Sequence, residues 1–243
     1  PRRYGRTQAA QRRREAEERA REEDTKESAQ AIWNASRPID GAPAELYLRN
    51  RGFVRPETGW PMVLRAHPSL PHKEGGRHPA LVCLVDDPFG GLCAVWRIYL
   101  TQDGFKADVH DVKLGLGPAS GGAVRIGGIR PRIGIAEGVE SAFGAWLMIG
   151  GAYPVWSVLS TSGMVNFEPP IQVESITIFP DGDRPVRAKD GQIVPVDVAP
   201  GMKAARALKA SMAEIGIDCT IAAEPPVGMD YCDLWNAMRE DVA

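Results

Sequence analysis

Three carboxylates stand where apolar runs end. The run Ile133-Gly134-Ile135-Ala136 is followed at once by Glu137-Gly138-Val139-Glu140-Ser141-Ala142. The run Ile176-Thr177-Ile178-Phe179 is followed, after Pro180, by Asp181-Gly182-Asp183. Short apolar runs bounded by glycine or proline read as buried strands. In open α/β sheets the carboxyl ends of such strands line the ligand crevice. Acids gathered there repel one another unless a cation sits between them. Their hard oxygens suit Mg2+ or Mn2+, an ion that polarises phosphoryl groups and activates an attacking hydroxyl. Alone, a strand-end Glu is also a favoured helix N-terminal acid, and an Asp-x-Asp a common turn. Specificity lies in their joint occurrence, each after an apolar strand.

The elements that must position these acids follow Pro131. Residues 133–136, 155–159, 175–179 and 218–222 read as strands. Residues 137–149 and 201–215 read as helices, the second with Ala205, Leu208 and Met212 on one side. Strands alternating with helices predict a parallel sheet with helices on its faces. Residues 37–130 read as a small mixed α+β unit. It has a short helix over 44–50, then a Pro-, Gly- and His-rich stretch of turns and short strands. Two β-like runs follow, 78–85 and 92–100, joined by the turn Asp86-Asp87-Pro88-Phe89-Gly90-Gly91. A glycine-rich stretch over 113–122 and a short strand over 123–126 complete it. Residues 7–36 lack Gly and Pro and carry Glu/Arg pairs at helical spacing, so they read as one helix. Ile32 and Trp33 mark where it meets a core. The expected organisation is a charged arm over 1–36, the mixed unit over 37–130 and the α/β unit over 131–243.

Composition bounds the class. Of 243 residues, 44% are apolar and 25% charged, which excludes a wholly disordered or fibrous chain. No run reaches the roughly 18 apolar residues of a membrane span, and the charged N-terminal stretch has no signal-peptide core. Four scattered cysteines point to a reducing compartment. A cytoplasmic protein without a membrane partner is expected. The chain begins at Pro1, as a fragment or a processed chain would. The net charge of −2 divides unevenly, with +4 over residues 49–130 and −7 over 131–243. That asymmetry suits phosphate on the middle unit and cations on the C-terminal one.

The acidic motifs resemble the Toprim domain shared by bacterial-type DNA primases, type IA and type II topoisomerases and some nucleases. That domain carries a Glu-Gly after its first strand and an Asp-x-Asp after its third, matched by Glu137-Gly138 and Asp181-x-Asp183. Residues 155–159 with Ser160-Thr161-Ser162-Gly163 resemble its second strand and small-residue loop. The likeness runs over residues 131–235. Within it, Glu224-Pro225-Pro226-Val227-Gly228-Met229-Asp230-Tyr231-Cys232-Asp233-Leu234 resembles the tail of primases and primase-helicases. There a Lys-Asp-x-x-Asp-Leu segment follows a proline-glycine turn, and Met229 stands where the lysine is usual. Residues 81–100, with Arg97, resemble the hairpin before a primase Toprim domain, and Lys113 the step that follows. The whole is similar to Toprim proteins of phages, plasmids and integrated elements.

The resemblance implies an α/β fold with a Toprim-like parallel sheet flanked by helices. It implies metal-dependent phosphoryl or nucleotidyl transfer on nucleic acid, in the form of primer synthesis during replication of a chromosome or mobile element. Glu137, Asp181 and Asp183 would be catalytic and hold one or two Mg2+ (or Mn2+), with Asp230 and Asp233 assisting a second ion. Arg97, Lys113 and Lys203 would neutralise phosphate. Partners would be a single-stranded template and nucleotides, with a separate helicase as a further one.

Two rival readings keep the same residues. A nuclease would use water in place of the primer hydroxyl, and a non-catalytic nucleic-acid-binding accessory module would retain a vestigial site. The loop over 184–200, with Pro185, Gly191, Pro195 and Pro200, is long where the family pattern soon enters a helix. It reads as a lid, a nucleic-acid contact or a tolerated insertion. No Gly-Lys-Ser/Thr follows the glycines over 115–122, so a phosphate-binding P-loop is absent. No zinc-binding module precedes the middle unit; His67, His72, His78 and Cys83 have no zinc-ligand spacing and read as loop and core. Tyr47, Tyr99 and Tyr153 read as packed tyrosines rather than strand-cleaving nucleophiles. Arg12-Arg13-Arg14 reads as part of a solvated helix.

Overall fold

The computed structural model describes residues 2–189 and 192–240; Pro1 and Gly191 lie outside them. Helix α1 (Arg2–Ala35) is solvent-exposed from residue 13 to 24, where pairs such as Arg13–Glu17 at 2.8 Å run along it. Its last turns bury Ala29 and Trp33 against the sheet that follows. Helix α2 (Pro43–Asn50) starts on Pro43, whose missing N–H costs nothing at a first helical position. Strands β1 (Leu64–Pro71), β2 (Arg77–Asp86), β3 (Leu92–Tyr99) and β4 (Lys113–Leu116) form an antiparallel sheet in chain order. Pro68 in β1 falls where the register with β2 shifts between His67 and Leu70. An edge strand with an irregularity is where a residue lacking an N–H is tolerated.

The second sheet has the order β11-β8-β6-β7-β5. Its members are β5 (Val124–Ile126), β6 (Arg132–Ala136), β7 (Val155–Ser157), β8 (Ser175–Phe179) and β11 (Asp218–Ile221). β6 lies between β7 and β8, parallel to both, and β11 is parallel to β8. Only β5 runs antiparallel, on β7, so this sheet takes one edge strand from before residue 131. Alternate residues of the strands feed two cores, as a period of two dictates. Ile133, Ile135, Trp156, Ile176 and Ile178 pack with Ala204, Ala205, Leu208 and Met212 of α5 (Pro200–Glu214). Ala136, Val155 and Phe179 pack with α3 (Val139–Met148) and α6 (Tyr231–Glu240) on the other face. That second core continues without a break into Tyr47, Leu48, Phe53, Leu81 and Ile98 of the first half. The sheets are also stitched directly: Asp86 and Ala123 exchange two backbone hydrogen bonds, each 3.0 Å.

Three elements depart from the sequence reading. The stretch 184–200 contains an antiparallel hairpin, β9 (Val186–Lys189) and β10 (Gln192–Pro195), before Pro200 opens α5. The small-residue loop after β7 winds into a short helix, α4 (Thr161–Val165), capped by Ser160 Oγ accepting the Gly163 N–H at 3.0 Å. The acidic tail becomes α6. Its start is a reciprocal cap in which Asp230 Oδ1 accepts the Asp233 N–H (2.9 Å) and Asp233 Oδ2 accepts the Asp230 N–H (3.0 Å). This is a capping-box arrangement with Asp in the place of Glu. No helix among the described residues is long and apolar enough to cross a membrane.

α3 and α6 meet at Gly144. A Cβ there would stand 2.4 Å from the Tyr231 carbonyl oxygen and 2.8 Å from Cys232 Cα. Both obstacles are backbone, so neither moves without shifting a helix. Gly144→Ala is expected to destabilise the fold by about 2–3 kcal/mol, read as a lower urea midpoint. A variant as stable as the parent would show that the two helices do not pack this closely.

Candidate functional site

The acids emerge where parallel pairing puts them. Ala136 of β6 is paired with Phe179 of β8, so Glu137 and Asp181 leave the sheet from neighbouring strands at the same edge. Gly182 then lies against the 225–229 turn. Its N–H donates to Met229 O at 2.9 Å, and a Cβ on it would sit 2.3 Å from Pro226 O. Only glycine fits between the two aspartates, and that contact brings Asp230 to the same edge. Asp183 turns toward α5, where its Oδ2 accepts the Gly201 N–H at 3.2 Å in the first helical turn. A Cβ on Gly201 would lie 2.8 Å from Asp183 Oδ2 and 3.8 Å from Glu137 Oε2, so both acids flank this glycine.

A cavity of about 300 Å³ opens on this edge. Glu137, Glu140, Asp181 and Asp230 line it together with Arg51, Lys106, Lys113 and Trp96, and Arg51 Nη2 lies 3.9 Å from Asp230 Oδ2. Electrostatics shows how strained the acids are. Burial pushes the Glu137 carboxyl up to about 7, and the charges of Asp181 and Asp183 add to the rise. Burial likewise raises Asp181 to about 6, against the Ser141 hydroxyl, which donates to Asp181 Oδ1 at 2.7 Å. Asp230 is raised for the same first reason, burial. Half-buried carboxylates that hinder one another's ionisation are a donor set that a divalent cation would relieve, and oxygen ligands of this kind fit Mg2+ or Mn2+. Among the described residues, the trio whose ligand atoms all lie within 4.8 Å of one another is a different one, Glu74, His110 and Asp111 on the surface. There the Lys73 ammonium already neutralises Asp111. The ligand atoms of Glu137, Asp181 and Asp183 do not all come within that distance.

The other expected residues separate by position. Lys113 begins β4 and lines the cavity, but its Nζ lies 2.7 Å from Glu140 Oε1. Arg97 points its guanidinium at the Leu114 and Gly115 carbonyls (3.3 and 2.9 Å) and lines no part of the cavity. Lys203 is exposed on α5, outside the cavity lining. Asp233 is outside it too, occupied with the cap of α6. Sequence reasoning missed Arg51, Lys106, Ser141 and the role of Glu140. Glu140 and Ser141 stand inside the quoted motif; Arg51 and Lys106 carry no local signal.

Glu140 is buried one turn beyond Glu137. Its Oε1 accepts from Lys113 Nζ and from the Tyr47 hydroxyl at 2.6 Å. Burial alone would raise its carboxyl, but the Lys113 charge and these two hydrogen bonds outweigh that and hold it at about 2.

The N-terminal part, residues 23–126, matches the model of a domain of unknown function, DUF7146. No curated protein matches the chain. The solved structures it resembles include DNA primase domains. A primase domain from Pseudomonas aeruginosa shares 17% identity over 72% of this chain and 55% of that one, with a TM-score of 0.41. The primase fragment of the bacteriophage T7 primase-helicase shares 12% over 86% and 71%, at 0.45. A DnaG primase catalytic domain bound to ssDNA shares 12% over 93% and 78%, at 0.48. The chain thus spans about half the length of the first of these.

Two outcomes follow from the Glu140 pair. Lys113→Met leaves a buried carboxylate without its cation and is expected to cost about 3 kcal/mol, with part recovered in Lys113→Met/Glu140→Gln. Because the folded carboxyl titrates below its ordinary 4.5, its contribution is whole above about pH 4.5 and lost as pH falls toward 2. Glu140→Gln is therefore expected to flatten the fall of the urea midpoint between pH 4.5 and 2.5. An unchanged acid limb would contradict the pairing.

Proposed function

We propose that the chain is a primase-like nucleotidyl transferase whose five-stranded sheet and flanking helices form a Toprim-like catalytic unit. One observation carries the reading. A single cavity gathers Glu137, Asp181 and Asp230, at the carboxyl edge of a parallel sheet, with Arg51, Lys106 and Lys113. Acids alone suit a cation and bases alone a phosphate. The two in one lining suit a polyphosphate that arrives with a divalent ion.

In this proposal Glu137, Asp181 and Asp183 would hold Mg2+ or Mn2+, with Asp230 beside them. The ion supplies neutralisation of phosphoryl charge and stabilises the attacking and leaving oxygens. The reaction is attack of a primer 3′-hydroxyl on the α-phosphate of a nucleoside triphosphate, with pyrophosphate leaving. Arg51 and Lys106, in the same lining, would neutralise the phosphate oxygens. Ser141 fixes the orientation of Asp181 through its hydrogen bond to Oδ1. Lys113 holds the Glu140 carboxylate in the lining of the cavity. Lys203, exposed near the start of α5, is available to a nucleic-acid backbone outside the cavity.

Labelled nucleoside triphosphates, a single-stranded template and Mg2+ test this directly. Template-dependent extension is the expected outcome. Cleavage of the strand would make the protein a nuclease, and retention without turnover an accessory module. Asp181→Asn is expected to lower extension about 10³-fold. Its affinity for the oligonucleotide, read by anisotropy, should stay the same or rise slightly as local repulsion falls.

A further inference from the structure

A second cavity, about 490 Å³, lies at the opposite end of α3. Glu137 stands just before the Gly138 cap of that helix, and Trp146 is in its last turn, about 10 Å along the axis from Val139 at 1.5 Å per residue. This cavity is large enough for a small organic ligand. Trp60, Met62 and Trp146 give it apolar and aromatic walls, Arg125 and Arg130 line it, and no carboxylate does. Its charged chemistry is therefore cationic only. Arg125 is partly neutralised, with Asp86 Oδ2 at 3.9 Å and the Asp87 carbonyl accepting from Nη2. Arg130 is exposed.

The surface around the cavity continues the same pattern. The segment Arg125-Ile126-Gly127-Gly128-Ile129-Arg130-Pro131-Arg132 holds three arginines and no acid. Arg132 lies over the Tyr153 ring at 4.3 Å from its centroid. Met62 is 89% exposed and Ile129 42%. Gly127 and Gly128, at φ +83° and +81°, make a turn without side chains beside Trp146. A Cβ on Gly127 would come within 2.9 Å of Trp146 Nε1, so only a glycine turn lies this close against the indole edge. Cations spaced along an edge, with aromatic and apolar surfaces between them, are what a single strand of nucleic acid requires. Its phosphates meet the arginines, and its unpaired bases cover the apolar walls.

We propose that this cavity and its arginine edge bind a segment of single-stranded nucleic acid, with a base in the cavity and the backbone along Arg130 and Arg132. The site is distinct from the acidic cavity and stands whether or not that cavity turns over nucleotides.

The test omits nucleoside triphosphates and divalent ions, so it does not depend on turnover. Anisotropy of a labelled 12-residue oligothymidylate is measured across a salt series, with intrinsic tryptophan fluorescence alongside. Arg130→Ala is expected to weaken binding about fivefold at ~0.1 M salt and to make the salt slope shallower by about 0.7. Met62→Asp, at a position exposed enough to leave the fold intact, places an anion at the mouth and is expected to weaken binding about tenfold. Unchanged thermal melting of both variants confirms that the loss is local. Wild-type affinity in both variants overturns the proposal. So does thymidine monophosphate quenching the tryptophans as strongly, at the same concentration, as the oligonucleotide, because the site would then take a free nucleotide. Either failure leaves the primase-like reading of the acidic cavity to its own assay.

Discussion

The Glu140 carboxylate ties the two halves of the molecule together. A buried acid is costly unless it is paired and hydrogen-bonded. Here the partners come from elements far away in the chain, Tyr47 in α2 and Lys113 at the start of β4. Satisfying Glu140 therefore requires α2 and the antiparallel sheet to dock against the first turn of α3. That docking also brings Arg51, just past α2, and Lys106, in the turn after β3, into the cavity that Glu137 and Asp181 line. The basic lining of the cavity and the packing of the first half onto the second are consequences of one set of contacts.

The acidic lining depends on close backbone approach. Gly134 in the central strand has no room for a Cβ, which would stand 2.7 Å from the Phe179 ring. Gly182 lets the 225–229 turn close over the Asp-x-Asp, and Gly201 leaves space for Asp183 and Glu137. These contacts hold carboxylates near enough to raise one another's affinity for a proton. The fold offsets that repulsion elsewhere, with an apolar core running unbroken from α2 through α3 to α6. A site under such electrostatic strain in the absence of a cation favours one when it arrives. Charge-perturbed groups collecting in a cleft are a feature of functional sites.

The opposite end of α3 has the complementary character. Three arginines fall within eight residues, and the cavity they border has no acid in its lining. One ten-residue helix thus has an acidic cavity at its start and an arginine-edged one at its end. Five of the eleven basic residues over 49–130 line these two cavities, Arg51, Lys106 and Lys113 the first and Arg125 and Arg130 the second.

The strands of the parallel sheet, and the acids at their ends, were legible in the sequence because buried parallel strands are short continuous apolar runs. The acids follow those runs directly, so local order alone carries Glu137 and Asp181 to the carboxyl edge. The helix α6 was legible in principle, since Asp230 and Asp233 have the spacing of a cap, but an acidic segment reads equally well as a ligand donor. Which cations join the acids was not legible. Arg51, Lys106, Arg97 and Lys203 are alike as residues. Strand register turns Arg97 toward the Leu114 and Gly115 carbonyls, while docking through Glu140 turns Arg51 and Lys106 toward the cavity. The sequence by itself determined the four parallel strands, the helices α3 and α5 and the acids at the sheet's edge, because those follow from neighbours within a few residues. Only the tertiary structure decided the basic lining and the second cavity. Both are made by side chains from distant segments, and a charge has no local pattern that says what it will face.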